Sequence, residues 1–229
     1  MIPDVIIHNT VSLDSAILGF DIDIGLHYST LLAFEPDAIL VGSATARHGI
    51  GMFLDEVPPE EEKDLIPPVP TPDDPRPMCV IVDSRGVLHG LLHIYRRMEY
   101  TKDVIVLVSD ATPKEYLDYL QKRAYPVIQC GTDHVSLREG LERLSEDYAI
   151  TRIVSDSGGG LNGVLINEHL AGRLSLLVAP VLAGAAEKHL FASITGPVNL
   201  TLVQATDLEG GVVHLQYIFG SEPGDKPPS

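Results

Sequence analysis

The stretch Ile153-Val154-Ser155-Asp156-Ser157-Gly158-Gly159-Gly160-Leu161-Asn162-Gly163 carries a short apolar run through three consecutive glycines into a helical pattern that continues over residues 164–170. Glycines let backbone amides approach a ligand without interference from Cβ atoms, and the start of a helix adds partial positive charge. We therefore predict a strand, a glycine turn and a helix, which is an arrangement that can bind a diphosphate. A tight turn without a ligand is the structural alternative.

Two other motifs can be found in the same stretch. Gly158, Gly160 and Gly163 satisfy G-x-G-x-x-G, the dinucleotide fingerprint of a Rossmann sheet. The next predicted strand ends at residues 178–182 without the carboxylate that this fingerprint needs for the ribose. Asp156-Ser157-Gly158-Gly159 also spells the nucleophile loop of trypsin-like proteases, which are all-β proteins. The helical patterns of this chain oppose a protease, so both motifs are minor alternatives.

Short apolar runs alternate with helical patterns along the rest of the chain. Runs such as Val104–Val108 are apolar at successive positions, so both faces of the strand are covered and a mainly parallel sheet flanked by helices is expected. The last two runs are joined by the glycine-containing turn Asp207–Gly211, which favours an antiparallel C-terminal hairpin. The predicted strands are Val5–Val11, Ala38–Val41, Met78–Val82, Val104–Val108, Pro126–Gln129, Arg152–Ser155, Leu174–Ala179, Val198–Ala205 and Val212–Phe219.

Two helix starts are marked by capping boxes, in which a hydroxyl and a carboxylate three residues later satisfy the first backbone amides. Thr112-Pro113-Lys114-Glu115 also places a proline at the first helical position. Ser136-Leu137-Arg138-Glu139 repeats the pattern before a second helix. These signals support an α/β protein.

One segment interrupts the alternation of strands and helices. Residues 55–77 hold eight of the 17 prolines and eight acidic residues, so neither helix nor strand is expected there. We interpret the segment as an extended insertion on the surface, either a passive loop or a lid over a site. The chain is then a single domain over residues 1–220, followed by a disordered tail at 221–229.

The charge of the chain limits the partners that it can bind. The 229 residues include 32 Asp and Glu against 16 Lys and Arg, which gives a formal net charge of −16. Such a surface repels nucleic acid and anionic lipid, so we expect neither as a partner. Two cysteines suit a reducing compartment, and no apolar run approaches the roughly 18 residues of a membrane span. We expect a cytoplasmic protein that holds no metal.

Polar residues follow several of the predicted strands. Asp14 comes after the first strand, Arg47 after the second and Arg85 after the third. Ligands of open α/β sheets bind at the carboxyl ends of the strands. Asp14 is therefore a candidate for orienting or protonating a substrate, with a turn or helix cap as its alternative role. The two arginines are candidates for pairing with a phosphate.

Five motifs, in order, resemble those of the dihydrofolate-reductase-like reductases of riboflavin biosynthesis. This family includes the C-terminal reductase domain of the bacterial deaminase–reductase and its stand-alone archaeal counterpart. The family motifs are S/T-L-D-G-K, G-x-G-T, V-D-S-K/R, E-G-G-G-x-L-N and A-P-x-x-x-G-G. The matching residues are Ser12-Leu13-Asp14-Ser15-Ala16, Gly42-Ser43-Ala44-Thr45, Val82-Asp83-Ser84-Arg85, Asp156-Ser157-Gly158-Gly159-Gly160-Leu161-Asn162 and Ala179-Pro180-Val181-Leu182-Ala183-Gly184-Ala185.

The resemblance implies a homodimeric, NADPH-dependent reductase that converts the ribosyl group of a ribosylaminopyrimidine 5′-phosphate to a ribityl group. Asp14 and Asp156 would face the substrate as catalytic residues, and Ser84 and Arg85 would lie near the 2′-phosphate of the cofactor. Because a β-branched side chain would fill the space of the diphosphate, Gly159→Val is expected to weaken NADPH binding. The implied cofactor-binding residues are Thr45, Val82, Asp83, Ser84, Arg85, Ser157, Gly158, Gly159 and Gly160.

The chain departs from the family pattern where the substrate is expected. The family lysine is Ala16 here, and the D-D-P-R-L run after G-x-G-T is replaced by residues 47–52. Two alternatives therefore accompany the riboflavin-pathway reductase. One is a reductase of the same fold that acts on another small molecule, and the other is a nucleotide-binding protein without enzymatic activity.

Overall fold

The computed structural model describes residues 1–69, 71, 74–184 and 188–220, and the chain forms two compact units. The first unit comprises Met1–Pro3 and Pro36–Ile153, and the second comprises Asp4–Glu35 and Val154–Ser229. The single domain predicted for residues 1–220 stays a prediction. The tail predicted at 221–229 lies outside the described residues.

Strands and helices alternate along the described chain, as the sequence pattern predicts. The strands are β1 (Asp4–Ser12), β2 (Ala38–Gly42), β3 (Met78–Val82), β4 (Val104–Val108), β5 (Val127–Gln129), β6 (Arg152–Ser155), β7 (Arg173–Ala179), β8 (Leu200–Asp207) and β9 (Val213–Phe219). The α-helices are α1 (Ile24–Leu32), α2 (Ser43–Phe53), α3 (Leu92–Arg96), α4 (Lys114–Lys122), α5 (Leu137–Tyr148) and α6 (Gly159–Asn167). Each predicted strand is present, with ends that differ by no more than two residues.

In the first unit, β2, β3, β4 and β5 lie side by side in that order and run parallel. All five residues of β4 are buried, as expected for a strand that is apolar on both faces. Helix α2 packs on β2 and β3, α3 packs on β4, and α5 packs on β5. The core of this unit includes Val41, Ile81, Val106, Tyr116 and Leu120.

In the second unit, β1 pairs with β7 in parallel, whereas β7 with β9 and β9 with β8 are antiparallel pairs. The predicted C-terminal hairpin is therefore confirmed. Its turn contains Gly210 and Gly211, whose φ angles of 75° and 76° favour glycine. The predicted fold class, an α/β protein with a mainly parallel central sheet, flanking helices and an antiparallel ending, is confirmed.

The two predicted capping boxes have different outcomes. At Ser136 the cap is present, because its hydroxyl accepts a hydrogen bond from the amide of Glu139 at 3.4 Å, while the Glu139 carboxylate accepts from the amide of Gly131 at 3.2 Å. The box predicted at Thr112 is wrong, since α4 begins at Lys114 and has no side-chain cap. The Thr112 hydroxyl instead accepts from the amide of Ser109 at 3.0 Å, which closes the turn before the helix.

Ion pairs hold the insertion at residues 55–77 against the rest of the first unit. Arg97 binds the carboxylate of Asp64, which is 2% exposed, and this hydrogen bonding lowers the pKa of Asp64 to about 2. Arg123 binds Glu60 with nitrogen–oxygen distances of 2.6 and 2.5 Å. A short 3₁₀ helix at Glu62–Leu65 corrects the prediction that the segment contains no helix. Its Asp64 side chain reaches back to the helix start, and proline counts do not reveal that cap.

None of the helices within the described ranges combines the length and the apolar composition that a membrane-spanning helix requires.

Candidate functional site

The glycine turn of the second unit has the predicted form of strand, turn and helix. Strand β6 ends at Ser155, and α6 begins at Gly159. Gly158 is the N-cap residue in an extended conformation, and no side chain caps the helix. The first amides of α6 therefore start the helix without a capping side chain, which is the condition under which a helix start can bind an anion.

Two buried amide side chains, those of Asn9 and Asn162, form hydrogen bonds to the backbone of the glycine turn. The Asn162 side chain donates to the carbonyl oxygen of Ser157 at 2.7 Å and to Asn9 Oδ1 at 2.9 Å, and it accepts from the Ser155 hydroxyl at 2.7 Å. Asn9 of β1 donates to the same Ser157 carbonyl at 2.9 Å. Asn162 thus shapes the turn. No local sequence pattern identified Asn9, whose only signal is a polar residue in an apolar strand.

The glycines of the turn face different surroundings. A Cβ atom on Gly159 would lie 2.5 Å from the carbonyl oxygen of Leu190, whereas one on Gly160 would meet nothing within 4 Å. The reason given for the Gly159→Val prediction is therefore wrong, because the new side chain would meet backbone and not open space. Gly163, the last glycine of the G-x-G-x-x-G spacing, packs against the side chain of Ser193. A substitution at Gly160 is therefore the one that would place a side chain in the open space beside the turn.

Asp156 directly follows β6 and pairs with a histidine that the sequence analysis did not select. Its Oδ1 lies 3.2 Å from Nε2 of His27 in α1, and the two side chains are 22% and 10% exposed. The other ring nitrogen of His27, Nδ1, lies 3.0 Å from the Thr10 hydroxyl of β1. The pair joins residues 129 positions apart, so no local spacing reveals it.

A second histidine lies beside this pair and has a separate set of partners. His8 of β1 lies 2.9 Å through Nδ1 from the Ser175 hydroxyl, which in turn lies 2.8 Å from Nε2 of His214. Nε2 of His8 donates to the backbone carbonyl of His27 at 3.2 Å. Burial and the neighbouring His27 lower the pKa of His8 to about 3, and burial also lowers the pKa of His214. We therefore treat His8 as a neutral part of the core at neutral pH.

Asp14 of the second unit is held by three donors. Its carboxylate accepts from the Ser12 hydroxyl at 2.5 Å and from the amides of Ala183 and Gly184 at 3.0 and 2.8 Å. These hydrogen bonds lower the pKa of Asp14 well below its ordinary value. An ionised carboxylate can orient a substrate but has no proton to give, so only the first of the two predicted catalytic roles is compatible with these contacts.

The cofactor residues predicted in the first unit lie on α2 and on the turn after β3. Thr45 is in the first turn of α2, and Val82 is the last residue of β3. The buried carboxylate of Asp83 accepts from the amides of Val87 and Leu88 at 3.0 and 2.9 Å. Asp83 is thus a turn-forming residue, and its hydrogen bonds fix the backbone of the turn that carries Ser84 and Arg85.

Ser84 and Arg85 occupy the turn that Asp83 closes. Arg47 of α2 lies near the same turn, because its guanidinium donates to the carbonyl of Val87 at 3.5 Å. Two arginines therefore lie close to the turn that follows β3. The predicted residues of this unit thus lie on α2, at the end of β3 and on the turn that follows β3.

These observations define an α/β protein that carries a glycine turn at a helix start and two differently held carboxylates. The sequence profile of the RibD C-terminal domain matches residues 3–214, and the chain belongs to this family. The predicted resemblance is confirmed, and the Rossmann and trypsin-like interpretations are replaced. A sequence search of curated proteins found no match.

Solved structures with the same fold include a pyrimidine reductase-like protein from Corynebacterium diphtheriae. It is 17% identical, has a TM-score of 0.70 and covers 96% of this chain and 93% of its own. The riboflavin biosynthesis reductase Rib7 of Saccharomyces cerevisiae is 18% identical, with a TM-score of 0.60 and coverage of 96% and 90%. The Thermotoga maritima diaminohydroxyphosphoribosylaminopyrimidine deaminase/5-amino-6-(5-phosphoribosylamino)uracil reductase is 16% identical, with a TM-score of 0.62. The match covers 96% of this chain and 57% of the Thermotoga protein.

Proposed function

We propose that the protein is an NADPH-dependent reductase that converts the ribosyl group of a ribosylaminopyrimidine 5′-phosphate to a ribityl group in riboflavin biosynthesis. Membership of the RibD C-terminal domain family is the observation that carries this proposal. The names of the Saccharomyces and Thermotoga proteins, which share the fold, support the same reaction class. We further propose a cytoplasmic location, since a chain with two cysteines, Cys79 and Cys130, suits a reducing compartment.

In the second unit, the proposed cofactor contacts are the Ser157–Gly160 turn and the first amides of α6. The residues fit a diphosphate because a Cβ on Gly160 would enter open space and the N-cap residue, Gly158, has no side chain. Amide groups bind an anion here without a cation, which suits a chain of net charge −16. When bound, NADPH supplies the hydride.

In the first unit, the proposed contacts are Thr45 and the turn from Val82 to Arg85. Arg85 is the residue that we expect to bind the 2′-phosphate, because a guanidinium pairs well with phosphate oxygens. Arg47, which already donates to this turn, is a second candidate. We expect Arg85→Ala to reduce the preference for NADPH over NADH, measured as the ratio of the two dissociation constants. An equal loss for both cofactors would argue against contact with the 2′-phosphate.

The substrate is proposed to face Asp14 and Asp156. Since three donors keep Asp14 ionised, its role is to accept a hydrogen bond from a sugar hydroxyl or the base. Asp156, with one oxygen directed at His27, is the better candidate for contact with the reacting centre. The chain positions the substrate, and the cofactor carries the hydride chemistry.

The direct test is the loss of absorbance at 340 nm when NADPH is mixed with the ribosylaminopyrimidine 5′-phosphate and the purified protein. The proposal expects turnover that depends on both compounds, with a ribitylamino product identified by mass spectrometry. NADPH binding without turnover would favour a nucleotide-binding protein. Absence of NADPH binding in a folded sample would reject the proposal.

One observation favours a second candidate function, reduction of a substrate without a phosphate. Three of the 16 Lys and Arg residues lie in the second unit, against 12 of the 32 Asp and Glu residues. Within the described part of that unit, the cations are Arg173, which is paired with Asp4, and Lys188. We therefore include the dephosphorylated ribosylaminopyrimidine in the assay. A higher kcat/KM for the nucleoside than for its 5′-phosphate would support this second function.

We also propose that the protein is a homodimer. The hairpin of β8 and β9 leaves apolar side chains in water, with Leu202 53% and Val203 58% exposed. An exposed apolar patch on a sheet is typical of an association surface. Sedimentation of the full chain should give twice the mass of 24.8 kDa, and Val203→Asp should shift the equilibrium towards the monomer. A monomer at micromolar concentration would contradict the proposal.

A further inference from the structure

The pair formed by Asp156 and His27 gives this carboxylate a fixed orientation. The carboxylate lies at the start of the glycine turn, one-fifth exposed, and its Oδ1 is directed inward to Nε2 of His27. His27 is nearly buried and lies in the first turn of α1, where Asp23 caps the helix by accepting from Leu26 at 2.9 Å. The histidine therefore approaches the carboxylate from a rigid element.

The partners of His27 fit both protonation states of its ring. A carboxylate only accepts hydrogen bonds when ionised, so Nε2 carries a proton towards Asp156. Nδ1 faces the hydroxyl of Thr10, which can rotate to donate to a neutral imidazole or accept from a charged one. A buried histidine with these two partners stays hydrogen-bonded whichever charge it carries.

Within the described residues, the side chain hydrogen-bonded to Asp156 is that of His27, and the nearby titratable groups have hydrogen-bond partners of their own. The His8 ring lies 4.7 Å from the His27 ring with the two planes tilted by 41°, but its Nε2 donates to the His27 backbone carbonyl and its Nδ1 lies within hydrogen-bond distance of the Ser175 hydroxyl. Tyr28 contacts the His27 ring edge-on at 5.0 Å. His214 lies beyond Ser175, with Nε2 2.8 Å from the Ser175 hydroxyl.

We infer that His27 is a positioning residue for Asp156, which holds Oδ1 so that the carboxylate presents a fixed edge to the reacting part of the substrate. The inference rests on the proposed function and assigns His27 a place in it. It requires that loss of the Nε2 donor lowers turnover more than it lowers cofactor binding, because His27 does not belong to the glycine turn.

Three variants of the full chain test the inference. His27→Leu removes the donor, His27→Gln keeps an amide nitrogen near the place of Nε2, and Ser175→Ala disturbs the same core without touching Asp156. We expect His27→Leu to lower kcat at least tenfold with the dissociation constant of NADPH changed less than twofold. His27→Gln should recover most of kcat. Ser175→Ala should lower the Tm by a comparable amount but retain at least half of kcat.

Equal kcat losses in His27→Leu and Ser175→Ala, or no recovery in His27→Gln, would overturn the inference. NMR of the imidazole nitrogens adds a readout without substrate. The His27 Nε2 proton should be visible in the wild type and lost in Asp156→Ala; its persistence there would also overturn the inference. If the wild type binds NADPH but reduces none of the offered substrates, the proposed function fails while the NMR result still decides whether the pair exists.

Discussion

Two carboxylates of the second unit follow strands, yet their surroundings differ. Asp14 comes two residues after β1 and accepts from one hydroxyl and two backbone amides. Asp156 comes one residue after β6, and its side chain is hydrogen-bonded to a histidine, His27. The two amide donors of Asp14, from Ala183 and Gly184, belong to the segment that follows β7, so this carboxylate links the loop after β1 to the loop after β7. Asp156 has an open side and a buried partner.

The difference shows how environment divides roles between residues of one chemical type. Hydrogen bonds from the Ser12 hydroxyl and from two backbone amides stabilise the charged form of the Asp14 carboxylate. Asp14 is therefore held in one position and stays ionised. Asp156 is oriented through one oxygen by His27 and is 22% exposed, so part of its carboxylate is open to a substrate. Pairs of carboxylates with contrasting surroundings are a common basis for assigning separate catalytic roles.

The largest expected effect separates the two carboxylates by kinetics. Asp156→Asn should lower kcat by roughly 10²-fold, the loss expected when a group that positions the substrate at the reacting centre is disturbed, whereas Asp14→Asn should lower it by less than about tenfold. The reason is that Asp156 keeps an open side for the substrate. Steady-state turnover of both variants with saturating NADPH provides the measurement.

The control for this comparison is the fold of each variant. Circular dichroism and NADPH titration should show that both variants remain folded and bind the cofactor as the wild type does. Should Asp14→Asn lose as much kcat as Asp156→Asn while its fold is retained, the assigned roles would have to be exchanged.

The second expected effect compares Gly159 and Gly160, two adjacent glycines of the turn that follows Asp156. Gly159→Val places its Cβ against the Leu190 carbonyl, and overpacking of this kind costs about 1–3 kcal/mol, or a Tm decrease of roughly 2–12 °C. Gly160→Val meets open space and should leave the Tm nearly unchanged, but it should weaken NADPH binding at least about tenfold, which corresponds to about 1.4 kcal/mol. Thermal unfolding and fluorescence titration measure the two effects. Unchanged NADPH affinity in folded Gly160→Val would remove the turn from the proposed cofactor site.

Much of the fold could be predicted because the signals are local. The apolar run of β4 and the glycine-containing turn before β9 are signals of neighbouring residues. The buried strand and the antiparallel hairpin that they predict are both present. The cap predicted at Thr112 failed because the hydroxyl found a closer amide in the preceding turn. The 3₁₀ helix within the insertion was missed, since the prediction rested on the proline content and not on the capping box that Glu61 and Asp64 form at the start of this helix.

The candidate site was predicted in part, and the missing residues are those that act over long distances. Asp14, Asp156 and the glycine turn lie within short motifs. His27 and Asn9 do not, because their partners are 129 and 153 residues away. The local sequence also does not show that Gly159 faces backbone and Gly160 faces open space, since the Leu190 carbonyl comes from a distant segment.

The smallest expected effect tests whether Asp14 contributes to stability through its charge. Because the folded-state pKa of Asp14 is lowered, its contribution is present above the unfolded pKa and is lost as the pH falls through the folded value. The wild type should therefore have a higher Tm than Asp14→Asn at pH 7, and the difference should shrink as the pH is lowered below about 4. Other carboxylates with lowered pKa values, such as Asp64 and Asp74, destabilise both proteins equally on acidification, so the difference isolates Asp14. Calorimetry at pH 7, 4 and 3 measures it, and a difference that stays constant with pH would mean that Asp14 acts through shape and not through charge.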